Sequence, residues 1–228
     1  MTTDEPVDAP TWRELAVARS LDPARVRAEK RVQRFLDAAL ELMNSSPTGK
    51  EFTVQEVVER SGQSLRSFYQ YFGGKHELLL ALFEEAVRTT AGTLRERIER
   101  EDDPLERLHL FVVEYYRLCR PVGRSRAAKN RPTPAMAEFA QQLLTAHPPE
   151  AARAFGPIVS LFEDVLGDAI AAGVVRADLP PRRTAGIVLE AVMFNWFSAI
   201  ISGAPAERDG DPAEDLWELL FRGMSGAG

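Results

Sequence analysis

Apolar residues recur along most of the chain at spacings of three and four, the period of a helix with one buried face, and no stretch alternates as a strand would. Val32, Leu36, Ala39, Leu40 and Met43 follow this rule. Asp22-Pro23 ahead of them pairs an N-cap acceptor with a residue suited to a first helical turn, which predicts a helix starting there. A short helix over 11–20, presenting Trp12, Leu15 and Ala16, is expected before it, and residues 1–9 read as a disordered tail. The polar run 44–49, with Pro47 and Gly49, ends the first long helix.

Two short helices are predicted next. Thr53-Val54-Gln55-Glu56 has the form of a capping box, and Val54, Val57, Val58 and Ser61 fall on one face behind it. Gly62 stops that helix, and Ser64 caps another whose inner face is Leu65, Phe68 and Phe72. Gly73-Gly74 breaks the second, and Lys75 opens a longer helix with Leu78, Leu79, Leu82, Phe83 and Ala86 inward. Further helices are predicted near 104–119, 134–146, 152–172, 182–202 and 212–222, most of them opened by proline, while 120–134 reads as a loop or a broken helix. The fold class is all-α: residues 1–21 form an extension, 22–74 a three-helix helix-turn-helix head, and 75–228 a helical body.

Two short helices joined by a tight turn can place the second in a DNA major groove, with the first across the backbone. The second helix turns Arg66, Ser67, Gln70 and Tyr71 outward, with Tyr69 at the margin. Arg pairs with guanine and Gln with adenine through two bonds each, and hydroxyls suit phosphates. A helical hairpin with a solvated face has the same periodicity. The net charge of −6 does not announce a DNA binder. Residues 25–78, however, carry nine Lys/Arg against seven Asp/Glu, a net of +2, so the basic segment is the one assigned to DNA.

The run Thr53–Ser64, followed by Phe68-Tyr69-Gln70-Tyr71-Phe72-Gly73-Gly74-Lys75-His76-Glu77-Leu78, resembles the TetR/AcrR family signature over about fifty residues, with the preceding helix included. Val58 and Ser61 stand where the family usually has Ala, Gln63 where it has Val, and Tyr71 where His is commoner. The polar Gln63 puts the angle between the helices in question. The resemblance implies phosphate contacts from Thr53, Tyr69, Tyr71 and Lys75, and base contacts from Arg66 and Ser67, with Leu65 or Gln70; Ser64 joins them as the cap of the second helix. Arg25, Arg27, Lys30, Arg31 and Arg34 on the preceding helix either add phosphate contacts or form a solvated face. The resemblance further implies a homodimeric, one-component repressor bound to pseudo-palindromic operator DNA and released by a small effector, with residues 75–228 serving effector binding and dimerisation.

In the body, residues 187–201 are apolar almost all round, as a helix buried on every side would be. The extra burial comes either from the chain's own core or from a partner subunit, and the resemblance favours a partner. The interface is expected at Phe155, Val159, Phe162, Leu166, Val192, Trp196 and Ile200. Phe111, Tyr115, Tyr116, Cys119, Met136, Phe139, Phe162 and Phe194 are candidate walls of a mostly apolar ligand pocket, or else plain core. Arg120, Arg124, Arg126, Lys129 and Arg131 crowd one loop and could meet an acidic group at its mouth.

Enzyme readings find little support. Cys119 is the one cysteine, His76, His109 and His147 lie far apart, and Gly73-Gly74-Lys75 lacks the spacing of a phosphate loop. No metal or cofactor is expected. The polar, acidic first residues predict no signal peptide, 187–201 is too short to span a bilayer, and a cytoplasmic location is expected. The rival reading is a dimeric helical sensor or adaptor that does not act through DNA.

Overall fold

The computed structural model describes residues 12–45, 52–119, 134–201 and 210–225; the side chains of 12–22, 134 and 196–201 lie outside that description. Among the described residues there are nine helices and a single isolated β-bridge, Val175 to Ser225. They are α1 (Trp12–Ser45), α2 (Val54–Ser61), α3 (Leu65–Tyr71), α4 (Lys75–Ile98), α5 (Pro104–Cys119), α6 (Pro134–Ala146), α7 (Pro148–Ala171), α8 (Pro181–Ile201) and α9 (Pro212–Met224). No helix among the described residues is long and apolar enough to cross a membrane.

The chain divides into two compact units. One lies within Met1–Ser46 and Phe52–Leu78, the other mainly within Leu79–Gly228, so the division falls inside α4. In the first unit, Phe35 of α1 is fully buried and meets Phe68 and Phe72 edge-on at ring distances of 5.5 and 6.1 Å. Leu36, Ala38, Ala39 and Met43 of α1, Val57 and Val58 of α2, and Leu78 complete this core. Edge-to-face rings fix mutual orientation better than aliphatic contacts do, because the ring quadrupoles favour that geometry. The three aromatics therefore set how α3 lies on α1.

The larger unit is organised around α5, which packs on α7, α8 and α9. Its centre is Phe111, stacked on Phe162 at 4.4 Å, with Leu94, Leu108, Val112, Ile158, Leu166, Val188 and Val192 around the pair. The end of α9 is tied back where the Arg176 N–H donates to the Met224 carbonyl at 3.1 Å. Arg97 of α4 pairs with Glu114 of α5, and Arg117 bridges Glu114 to Asp211 ahead of α9.

Three expectations need correction. Asp22-Pro23 does not start a helix: α1 runs unbroken from Trp12 with Pro23 inside it, and the separate helix over 11–20 is its first part. Pro23 removes one N–H from the ladder, on a stretch of α1 whose side chains, 23–27, are exposed. The long helix near 152–172 begins earlier, at Pro148. On α4, Ala86 is exposed and Leu80 is buried. The expected disordered tail and most of the expected loop at 120–134 lie outside the described residues.

Candidate nucleic-acid interface

The geometry of the site begins with its caps. Thr53 Oγ1 accepts the Glu56 N–H at 3.2 Å, and the Glu56 carboxylate accepts the Thr53 N–H at 2.7 Å, which closes the capping box and fixes the start of α2. Gly62 ends α2 at φ 64°, a left-handed conformation that glycine adopts without the steric penalty of a Cβ. Its N–H bonds the Glu59 carbonyl, and the Gln63 N–H bonds that of Val58, both at 3.3 Å. Ser64 Oγ then accepts the Ser67 N–H at 3.1 Å and starts α3 two residues after the turn. After α3, the Glu77 carboxylate accepts the Gly73 N–H at 2.7 Å and holds the turn into α4.

This scaffold leaves one face of α3 to solvent. Phe68 and Phe72 point inward, while Arg66, Gln70 and Tyr69 are exposed, Tyr69 at 57%. Thr53 and Ser64 are also exposed, and Tyr71 is half-buried. Lys75, half-buried at the head of α4, holds its ammonium 4.9 Å from the centre of the Phe52 ring. A guanidinium, a carboxamide and a phenol on one short helix can address base edges and phosphates together.

Two residues of the head sit differently from expectation. Leu65 is not part of the inner face; it is 42% exposed and stands beside Arg66. Ser67 is not presented outward, because its Oγ is buried and has no hydrogen-bond partner. Periodicity places Ser67 beside Arg66 but cannot register that a side chain this short is covered by its neighbours. Phe35, the hub of the head, was absent from the expected inner face of α1, although it adjoins Leu36 in sequence and shares the helical period.

In the body, Phe111, Tyr115, Tyr116 and Phe162 are buried together, Phe111 and Tyr115 with ring centres 5.9 Å apart. Tyr116 donates to Asn195 Oδ1 at 3.0 Å. Cys119 is half-buried against this group, and burial pushes its thiol up to about 12, the Tyr115 hydrogen bond offsetting part of the effect. Met136 and Phe139 are buried elsewhere, Phe139 facing Phe83 at 6.3 Å. Phe194 is not a wall of any such cluster: it is 74% exposed. A shallow depression of about 210 Å³ occurs between α5 and α9, lined by Leu105, Glu106, His109, Glu214, Trp217 and Phe221. There His109 Nε2 lies 2.7 Å from Glu214, a contact between residues too distant in sequence for spacing to reveal.

The expected interface residues also divide. Phe162, Leu166 and Val192 are fully buried within their own chain and cannot reach a partner. Phe155 and Val159 are half-buried, and the side chains of Trp196 and Ile200 lie outside the described residues. Among the described residues of α8, the large apolar side chains exposed are Ile187, at 59%, and Phe194, two helical turns apart on one face.

The head is a three-helix unit with a helix-turn-helix, on a chain otherwise helical in its described residues, the arrangement that can set a recognition helix in a DNA major groove. Residues 35–82, from the second half of α1 into α4, match the model for bacterial regulatory proteins of the tetR family. No curated protein sequence matches the chain. Among solved structures, FadR from Bacillus subtilis in complex with stearoyl-CoA is similar at 17% identity and a TM-score of 0.64, over 84% of this chain and 98% of that one. Thermus thermophilus FadR in complex with lauroyl-CoA shows 22% identity and a TM-score of 0.60, over 86% and 96%. A gamma-butyrolactone receptor, an ArpA-like protein, shows 21% and 0.53, over 89% and 91%. At these identities the structural likeness is one of fold. The match itself lies over the head, residues 35–82, which carries the DNA-binding domain of tetR-family regulators.

Proposed function

We propose that the protein is a homodimeric repressor that binds a pseudo-palindromic operator and is released by an apolar effector with an acidic group. The observation that carries the DNA-binding part is the exposed face of α3, where Arg66, Tyr69 and Gln70 stand clear of a core fixed by Phe35, Phe68 and Phe72. Arg66 and Gln70 read bases, while Thr53, Tyr69, Tyr71 and Lys75 meet phosphates. The buried Ser67 hydroxyl is left out of the base contacts. A dimer is supported by Ile187 and Phe194, because large apolar side chains exposed on one helix face mark a surface that another copy can cover. Two heads then meet successive major grooves about 34–36 Å apart. The site of action is the cytoplasm, where the operator is.

For the effector we favour a long-chain acyl thioester. Two of the similar structures hold stearoyl-CoA and lauroyl-CoA, and the sequence offers Arg120, Arg124, Arg126, Lys129 and Arg131, all outside the described residues, as candidate cations for its anionic part. Such a ligand weakens DNA binding by its preference for the state in which the heads do not fit the operator.

The test compares variants on a selected operator. Arg66→Ala should lose about 1–3 kcal/mol on that operator and relax its sequence preference. Lys75→Gln should weaken all duplexes alike and lower the salt slope by about one unit. Equal loss of preference in both variants contradicts the division of roles. For the effector, acyl thioesters should raise the melting temperature with concentration and release the operator; a chain-length series without effect on either removes that part alone.

A further inference from the structure

We propose that Arg27, Lys30, Arg31 and Arg34 of α1 form a second duplex-binding surface, which grips phosphates of the DNA flanking the operator core. The inference rests on the DNA-binding reading above and extends it to a face of the head outside the helix-turn-helix. At 100° per residue the four side chains fall within an arc of about 100° on α1, and at 1.5 Å per residue they span about 10 Å. All four are exposed. Each acid on the same described stretch is engaged elsewhere: Glu29 pairs with Arg25, Asp37 accepts a bond from Gln33, and Glu41 pairs with Arg60. None of the four cations pairs with a carboxylate among the described residues.

Like charges one turn apart, as in Arg27 with Arg31 and Lys30 with Arg34, destabilise a helix. The strip therefore opposes folding until a polyanion meets it. Duplex DNA fits, because each strand presents a phosphate about every 3.4 Å along the axis. The position fits as well. Arg31 lies one turn before Phe35 and Arg34 directly before it, and Phe35 is the residue on which α3 is seated through Phe68 and Phe72. The strip thus begins beside the recognition helix and runs along α1 away from it. An anionic membrane would need an apolar face to insert beside the cations. The apolar face of α1, with Phe35, Leu36, Ala39 and Met43, is consumed by the core of the head.

The experiment uses the full chain and a pseudo-palindrome selected from random duplexes, cut flush or extended by ten base pairs of unrelated sequence on each side. The wild type should bind the extended duplex at least tenfold more tightly. The quadruple variant Arg27→Gln, Lys30→Gln, Arg31→Gln, Arg34→Gln should bind both duplexes alike, keep its sequence preference, and lose about 3 to 4 units of salt slope per subunit. Its melting temperature should be equal or higher, since repulsion is relieved; if it melts lower, the double variant Arg27→Gln, Arg31→Gln should lose about half that slope. Arg66→Ala should behave oppositely, keeping the gain from flanking DNA while losing preference. An unchanged slope and flank dependence in the quadruple variant overturns the inference while leaving the DNA-binding reading intact. So does binding of the wild type, but not the variant, to phosphatidylserine vesicles with no effect on DNA. A wild type that selects no duplex fails the underlying reading and the inference with it.

Discussion

Replacing Phe35 with Ala tests whether one ring holds the recognition helix in place. The side chain is fully buried and meets two aromatic partners edge-on, at 5.5 and 6.1 Å. Losing the burial of such a side chain costs about 1.5–3 kcal/mol. The vacated space adds about 24 cal/mol per Å³ of cavity that does not collapse, and each lost ring pair about 0.5–1.5 kcal/mol beyond area. Partial collapse of a three-helix head offsets some of this, so the expected loss is about 3–5 kcal/mol, in the range for Phe→Ala in cores. Phe35→Leu keeps most of the volume and should lose less than half as much. Hydrogen exchange read by peptide is the assay. Amides of α1–α3 should lose protection by the full amount, while those of α5 and α7, built around Phe111 and Phe162, should change little. Operator affinity should fall with the head's stability. A loss below about 1 kcal/mol, or equal loss in both units, would refute the reasoning.

Other positions give sharper local tests. Gly62→Ala should destabilise the head by about 1–2 kcal/mol in urea titration: its φ of 64° is costly for any L side chain, although no atom lies within 4 Å of the added Cβ. Phe194→Arg should convert dimers to monomers in light scattering with little change in the stability of the isolated chain, because the residue is 74% exposed; a persisting dimer moves the interface elsewhere. Cys119 should react slowly with iodoacetamide at pH 8 and quickly once unfolded, because burial pushes its thiol up to about 12. The raised thiol also makes stability depend on pH. The contribution is fully present below the unfolded value of about 8.5 and is lost as pH rises from there towards the folded value, so Cys119→Ala should flatten the alkaline side of the stability profile.

The parts of the fold legible in the sequence are those fixed by chemistry between near neighbours. The Thr53–Glu56 box, the Gly62 stop and the Ser64 cap each depend on atoms three or four residues apart, and each sits where its residues indicate. Proline misled at Pro23 because a favourable first-turn residue is also tolerated inside an exposed helix when tertiary packing further along holds it. The partition of α8 was illegible for another reason. With apolar residues nearly all round, its pattern does not say that Val188 and Val192 face the chain's own core while Ile187 and Phe194 face outward. The buried Ser67 hydroxyl and the His109–Glu214 contact arise from three-dimensional neighbours that no local pattern encodes.

The central claim is that α3 reads DNA. The most direct measurement is fluorescence anisotropy of the full chain on the strongest pseudo-palindrome selected from random duplexes, and on the same sequence scrambled, across a salt series from 50 to 200 mM. The selected duplex should bind at least a thousandfold more tightly than the scrambled one at physiological salt. Both affinities should fall steeply as salt rises, and Arg66→Ala should erase most of the difference between them. Equal affinity for the two duplexes, or binding indifferent to salt, would contradict the central claim.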